Sequence, residues 1–246
     1  MLTTPSGIEF AMLGGKIGAP APAVLHFAWS ARETLSNPDY GETARILSEK
    51  GFVCISVDMP CHGADRRKDD SAAELAGWPG RVEKGNTLVS EFTKKVTAVL
   101  DFTIQEKYTD PGKIAAFGIS RGGFMAFHAA AADARIRCVA GLCPVTDLLA
   151  LDEFANAKTD AARSLALASV ADKLAGRSVW IVIGNDDQRV STDSAIAFAR
   201  KVTESSVAQH KPADVELHVA ATPGHSQPEH SQRQAAEWIE KKVGKR

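Results

Sequence analysis

A chain of 246 residues, 44% hydrophobic and 24% charged, is long enough to bury one sizeable core, and strand-helix repetition fills that length as a single domain over 1–246. Twenty-nine basic against thirty acidic residues leave a formal net charge of -1, which excludes any general electrostatic pull toward nucleic acid or an anionic membrane. The opening "MLTTPSGIEFAMLGG" has neither the basic start nor the apolar stretch of a secretory signal, and no later run is long enough to span a bilayer, so a cytoplasmic location is expected.

Short apolar runs rich in Val, Ile and Phe alternate with longer segments of helical period, the pattern of a mostly parallel sheet with helices on both faces. The first clear central strand is predicted over 20–29. A helix over 43–51, closed by Gly51, leads to a strand over 52–58. The charged "ADRRKDD" (64–70) reads as a solvated loop. From Thr87 to Ile104, Phe92, Val96, Val99 and Leu100 share one helical face, and a strand over 113–119 follows.

The unit then repeats. Helix "RGGFMAFHAAAAD" leads to a strand over 136–145, a more polar helical stretch reaches about Ala175, and the next strand covers 178–184. The segment 146–177 is too short for a large cap domain but long enough for a small helical flap. Ser191 is placed to cap a helix carrying Ala195, Phe198, Ala199 and Val202, a strand covers 214–222, and a last helix buries Ala235, Trp238, Ile239 and Val243. Cys54, Cys61, Cys138 and Cys143 lie singly in or beside apolar runs, without zinc-type spacing; buried free thiols and no metal site are expected.

Ligands of open α/β sheets collect at the carboxyl ends of the strands, so the residues just after each strand carry the functional reading. Ser120 follows one strand and precedes a helix, within "GISRGG". On such a turn the flanking Gly118 and Gly122 let strand and helix approach, the hydroxyl is pushed into the site, and the helix N-terminus with the Arg121 N–H faces a developing oxyanion. A serine hydroxyl needs a base, and the base needs a group that holds its tautomer. Asp187 follows the strand 178–184 and His225 follows the strand 214–222. Asp186, His62 and His230 compete for these roles; His26, His128 and His218 read as packing or surface residues. The chain order Ser120, Asp187, His225 goes with a nucleophile elbow.

"GISRGG", "GNDDQRV" and "PGH", in this order and context, resemble the α/β-hydrolase fold, more narrowly its dienelactone-hydrolase and prolyl-oligopeptidase-like branch with a G-x-x-D-x-x-V acid motif matched by Gly184, Asp187 and Val190. "DMPCHG" (58–63) is similar to the D-x-P-x-H-G loop of many such enzymes, and the resemblance runs from about Val24 to the end. It departs after the first central strand, where the family usually has His-Gly and this chain has His26-Phe27-Ala28-Trp29. By position the second oxyanion donor is expected to be the Ala28 N–H, or the Phe27 N–H if the register is off by one, and Phe27 and Trp29, with Trp78 and Phe154, are candidates to line an acyl pocket, with core packing as the alternative for each. The elbow carries serine where dienelactone hydrolases typically carry cysteine.

These residues imply a serine hydrolase of esterase type, acting on a small or moderate ester or acyl substrate through an acyl-enzyme, with no metal or organic cofactor. A peptidase or thioesterase would use the same residues. A ligand-binding protein on the same fold is the reading from another class, which an intact triad opposes.

Overall fold

The computed structural model describes residues 1–85, 87–157 and 160–244. Among the described residues the strands are β1 (Leu2–Thr3), β2 (Glu9–Leu13), β3 (Ala21–Phe27), β4 (Val53–Val57), β5 (Thr109–Ile119), β6 (Ile136–Leu142), β7 (Ser178–Asp186) and β8 (Val215–Pro223). They form one sheet in the order β1-β2-β4-β3-β5-β6-β7-β8. β2 runs antiparallel to β1 and β4, and every other pairing is parallel. The helices are α1 (Ala31–Ser36), α2 (Pro38–Glu49), α3 (Trp78–Glu83), α4 (Thr87–Gln105), α5 (Arg121–Ala132), α6 (Asp160–Ser164), α7 (Ala171–Leu174), α8 (Thr192–Ala208) and α9 (Ser231–Ile239). No helix of the described residues is long and apolar enough to cross a membrane.

Period-two alternation divides the core into two layers. Ala23, Leu25 and Phe27 of β3 and Ile114 and Ala116 of β5 face one side, packed with Phe92, Val96 and Leu100 of α4, Phe124 and Phe127 of α5 and Phe198 of α8. Val24 of β3 and Ala115, Phe117 and Ile119 of β5 face the other, packed with Ala44 and Leu47 of α2 and Ala235 and Ile239 of α9. The last helix α9 buries Ala235, Trp238 and Ile239, and Val243 is buried in the π-helical turn Glu240–Gly244 that continues it, as the spacing predicts. After β3 the chain adds β4 on one side and later β5 on the other, so the strand order reverses between β3 and β5. Such a switch point opens a crevice at the carboxyl ends of those two strands, where Ala28 and Ser120 lie.

The differences from the sequence reading have local causes. β1 and β2 form an antiparallel margin that the apolar periodicity does not announce, since β2 alternates poorly and is completed by β4. The helix expected over 43–51 starts at Pro38, after Asn37, whose side chain accepts the Asp39 N–H at 2.8 Å. Proline suits this position because its missing N–H has no partner there anyway. Lys50 is the C-cap and Gly51 follows at φ +85. The strand expected to reach residue 145 stops at Leu142, because Cys143 turns the chain at φ 43 and Pro144 has no N–H for a ladder. Within 146–177, α6, α7 and short 3-10 turns bury Leu148, Phe154 and Leu167 against the core; residues 158 and 159 of this stretch lie outside the described residues. All four cysteines are free and buried.

The loop 64–70 is a correction, because it is only partly solvated. Arg81 of α3 is 4% exposed and donates from Nε and Nη2 to Asp70, both at 2.8 Å, and from Nη1 to Asp65, which also receives Lys95. The side chains of Asp65 and Asp70 are 5% and 3% exposed. Removing one member of a buried ionic cluster strands the others, so Asp70→Asn is expected to destabilise the fold by about 3 kcal/mol in urea unfolding. The Arg81 hydrogen bond holds the Asp70 carboxyl well below its ordinary value of 3.8. Its contribution is therefore complete above that value and is lost as pH falls through the lower folded pKa, so the gap between wild type and variant narrows in acid.

Candidate active site

Ser120 is the residue between β5 and α5, at φ 53 and ψ -117, a conformation that costs a non-glycine residue of order 1–3 kcal/mol. Its backbone is clamped on both sides: the N–H donates to Leu142 O at 2.9 Å and the carbonyl accepts Val145 N–H at 3.1 Å. The glycines of the motif are sterically required. A Cβ on Gly122 would overlap the Phe27 carbonyl, and one on Gly118 would overlap the carbonyl of Gly122. Both obstacles are backbone, so Gly122→Ala is expected to cost about 3 kcal/mol, read as a lowered denaturation midpoint.

The structure brings Ser120, Asp187 and His225 together from the ends of three strands. His225 Nε2 lies 2.9 Å from Ser120 Oγ, and His225 Nδ1 lies 2.8 Å from Asp187 Oδ2. With Nδ1–H donating to the carboxylate, Nε2 is left to accept the serine proton. Asp187 is 1% exposed; its Oδ1 accepts the backbone N–H of Arg189 at 3.1 Å and of Val190 at 3.2 Å. The spacing of the G-x-x-D-x-x-V motif has a visible use here: Thr192 Oγ1 donates to Gly184 O at 2.6 Å and accepts Asp187 N–H at 3.2 Å, closing the loop that carries Asp187. Asp186 faces solvent, where its Oδ1 accepts Gln188 Nε2–H at 2.8 Å.

Of the competing histidines, His230 is an exposed residue beside Glu229. His62 is buried, bonded through Nδ1 to Pro60 O at 2.8 Å and held neutral by burial, which lowers its pKa to about 4. It belongs to the 58–63 loop, whose Asp58 accepts the N–H of Ala31 and of Ala64, both at 2.7 Å, and so ties the end of β4 to the start of α1. His26 is fully buried against Phe117, and burial lowers its pKa to about 3.

A cavity of about 300 Å³ opens on Ser120 and His225, lined also by Ala28, Tyr40, Leu75, Ile119, Arg121, Cys143, Arg189, Ser226 and Gln227. The backbone N–H groups of Arg121 and Ala28 border it and donate to no protein acceptor among the described residues. Phe27 is not in this lining: β3 turns its side chain to the opposite layer, 0% exposed and edge-on to Phe92 at 5.0 Å. The ring that departs from the family pattern therefore fills core and leaves the pocket open. Trp29 is a supporting wall, with the Arg121 guanidinium 3.8 Å over its ring, Tyr40 stacked at 6.0 Å and His62 edge-on at 5.1 Å. Trp78 and Phe154 are core residues, Trp78 donating to Pro60 O at 2.9 Å.

Sequence reasoning missed Tyr40, Arg189, Cys143 and Gln227. Arg189 stands two residues after Asp187 and was open to inference; Tyr40 arrives from α2, with no local signal. Burial and the charge of Asp187 push the Cys143 thiol up to about 12, so it is protonated at neutral pH and a poor nucleophile.

The fold agrees with the comparisons to known proteins. A cold-adapted esterase from an Arctic intertidal metagenomic library superposes with a TM-score of 0.69 at 18% identity, over 98% of this chain and 92% of that one. Acylaminoacyl peptidase from Pyrococcus horikoshii gives 0.72 at 15% identity, over 97% of this chain and 40% of the peptidase. A 99-residue stretch is 32% identical to the uncharacterized protein YcjY of Escherichia coli; it covers 40% of this chain and 28% of that protein. Residues 85–246, which hold Ser120, Asp187 and His225, match the prolyl oligopeptidase family, and the chain belongs to that family of α/β-hydrolase-fold serine hydrolases.

Proposed function

We propose that this protein hydrolyses a small or moderate ester through an acyl-enzyme, with Ser120 as nucleophile, His225 as base and Asp187 as its orienting acid. The observation that carries this reading is the continuous relay of 2.9 and 2.8 Å hydrogen bonds ending in the cavity. His225 takes the Ser120 proton as Oγ attacks the carbonyl, and Asp187 stabilises the imidazolium. The Arg121 and Ala28 N–H groups receive the oxyanion, each such donor being worth ~3 kcal/mol. His225 then returns the proton to the departing alcohol, and water activated by the same histidine releases the acid.

The cavity favours a small substrate, and the short 3-10 turn that holds Glu153 is tied to it by the ion pair of Glu153 with Arg189 at 2.6 Å. Four buried free thiols suit a reducing cytoplasm. A fluorophosphonate probe tests the activated serine without a guessed substrate. A single adduct on Ser120, absent in His225→Ala, is the expected intact-mass and peptide-map result. No adduct on folded protein would overturn the reading and leave ligand binding as the better account; an adduct with amide but no ester turnover would replace the esterase by a peptidase.

A further inference from the structure

The cavity beside Ser120 carries a charge imbalance that ester hydrolysis itself does not require. Its lining includes two arginines, Arg121 and Arg189, and no acidic residue among the described residues. Arg189 is already countered: Nη2 donates to Glu153 Oε1 at 2.6 Å, and Nη1 lies 3.8 Å from Asp152. Arg121 has no such partner. Among the described residues no carboxylate lies within ion-pair distance of it; Glu74 and Glu153 attract it only from farther away, and Arg189 repels it. Burial lowers its pKa, so the charge is held at a cost.

Its posture is nonetheless fixed. The guanidinium lies 3.8 Å over the Trp29 ring, and Nε donates to the Ala28 carbonyl at 3.2 Å. That leaves Nη1 and Nη2 without a protein acceptor among the described residues, on a residue that lines the cavity next to the nucleophile. The elbow needs only a backbone N–H at this position, so the oxyanion chemistry does not explain the side chain. A planar fork with its plane set by an aromatic ring is preorganised for bidentate contact with a carboxylate.

We infer that Arg121 is a specificity-determining residue, and that the substrate is an ester bearing a second, ionised carboxylate close to the scissile carbonyl. The inference rests on the Ser120 and His225 reading for the chemistry and adds what the pocket selects. The carboxylate can belong to the acyl part or to the alcohol, and two near-isosteric pairs separate these cases: monoethyl glutarate against ethyl pentanoate, and the butyrate ester of γ-hydroxybutyrate against butyl butyrate.

The expected result is that kcat/KM favours the anionic member of one pair by about tenfold or more, mainly through KM. The ratio should fall toward unity in Arg121→Gln. Because it compares two substrates in one variant, a general loss of activity cancels. If Arg121→Gln does not fold, Arg121→Lys serves, since it keeps the charge and loses the fork; its ratio should fall as well. Ratios at or below unity in both pairs for the wild type, or a ratio unchanged in the variant, would overturn the inference. If no ester turns over, protection of Ser120 from the fluorophosphonate decides: better protection by an anionic ester than by its neutral partner upholds it, and equal protection ends it. A Ser120 adduct with no anionic preference removes this inference alone, whereas no adduct and no turnover remove the esterase reading with it.

Discussion

Ser120→Ala is expected to lower turnover about 10⁶-fold, with a residual rate set by binding and the oxyanion donors alone. The magnitude follows from geometry. Ser120 Oγ is the single hydroxyl placed by the elbow within 2.9 Å of His225 Nε2, and the neighbouring Cys143 is kept protonated by burial. Alanine accepts the φ 53 backbone at much the same cost as serine, so the variant should unfold near the wild-type temperature. Ser120→Gly should be equally inactive yet more stable by about 1 kcal/mol, since glycine adopts positive φ freely while losing more entropy on folding. Single-turnover kinetics and thermal unfolding on the three proteins check both halves. Activity retained in Ser120→Ala would overturn the proposed mechanism.

Asp187→Asn is expected to cost about 10⁴-fold in kcat, and Asp186→Asn very little. In the wild type Asp187 Oδ2 accepts His225 Nδ1–H, and Oδ1 is committed to the N–H groups of Arg189 and Val190. With Oδ1 anchored by two donors, an asparagine turns its NH₂ toward the imidazole. The ring then carries its proton on Nε2, facing Ser120, and cannot receive the serine proton. The Asp186 carboxylate is in solvent, where it accepts the Gln188 Nε2–H. Steady-state kinetics on the two asparagine variants decide it; the reverse order of effects would move the acid role to Asp186.

Much of the architecture was legible because it rests on local rules. The apolar runs of β3 to β8, the helical faces of α4 and α8, the Gly51 stop and the Ser191 cap each depend on a few adjacent residues. The loop 64–70 shows where local rules end. Its charges point to solvent, yet two of its carboxylates are buried, because α3 supplies Arg81 from 11 and 16 residues further along the chain.

By itself the sequence determined the alternation that builds a mostly parallel sheet, the strained serine turn between two glycines, and an acid and a histidine after later strands in the order Ser120, Asp187, His225. Those features are short-range: period-two burial, the steric need for Gly118 and Gly122, and turn residues at strand ends. Only the tertiary structure decided which way Phe27 points, that Tyr40 and Arg189 share a cavity with Ser120, and that Arg121 stands over Trp29 without a counter-ion among the described residues. The physical reason is that strand register sets which face each side chain presents, and a pocket is assembled by packing segments far apart in the chain. A window of neighbouring residues contains neither.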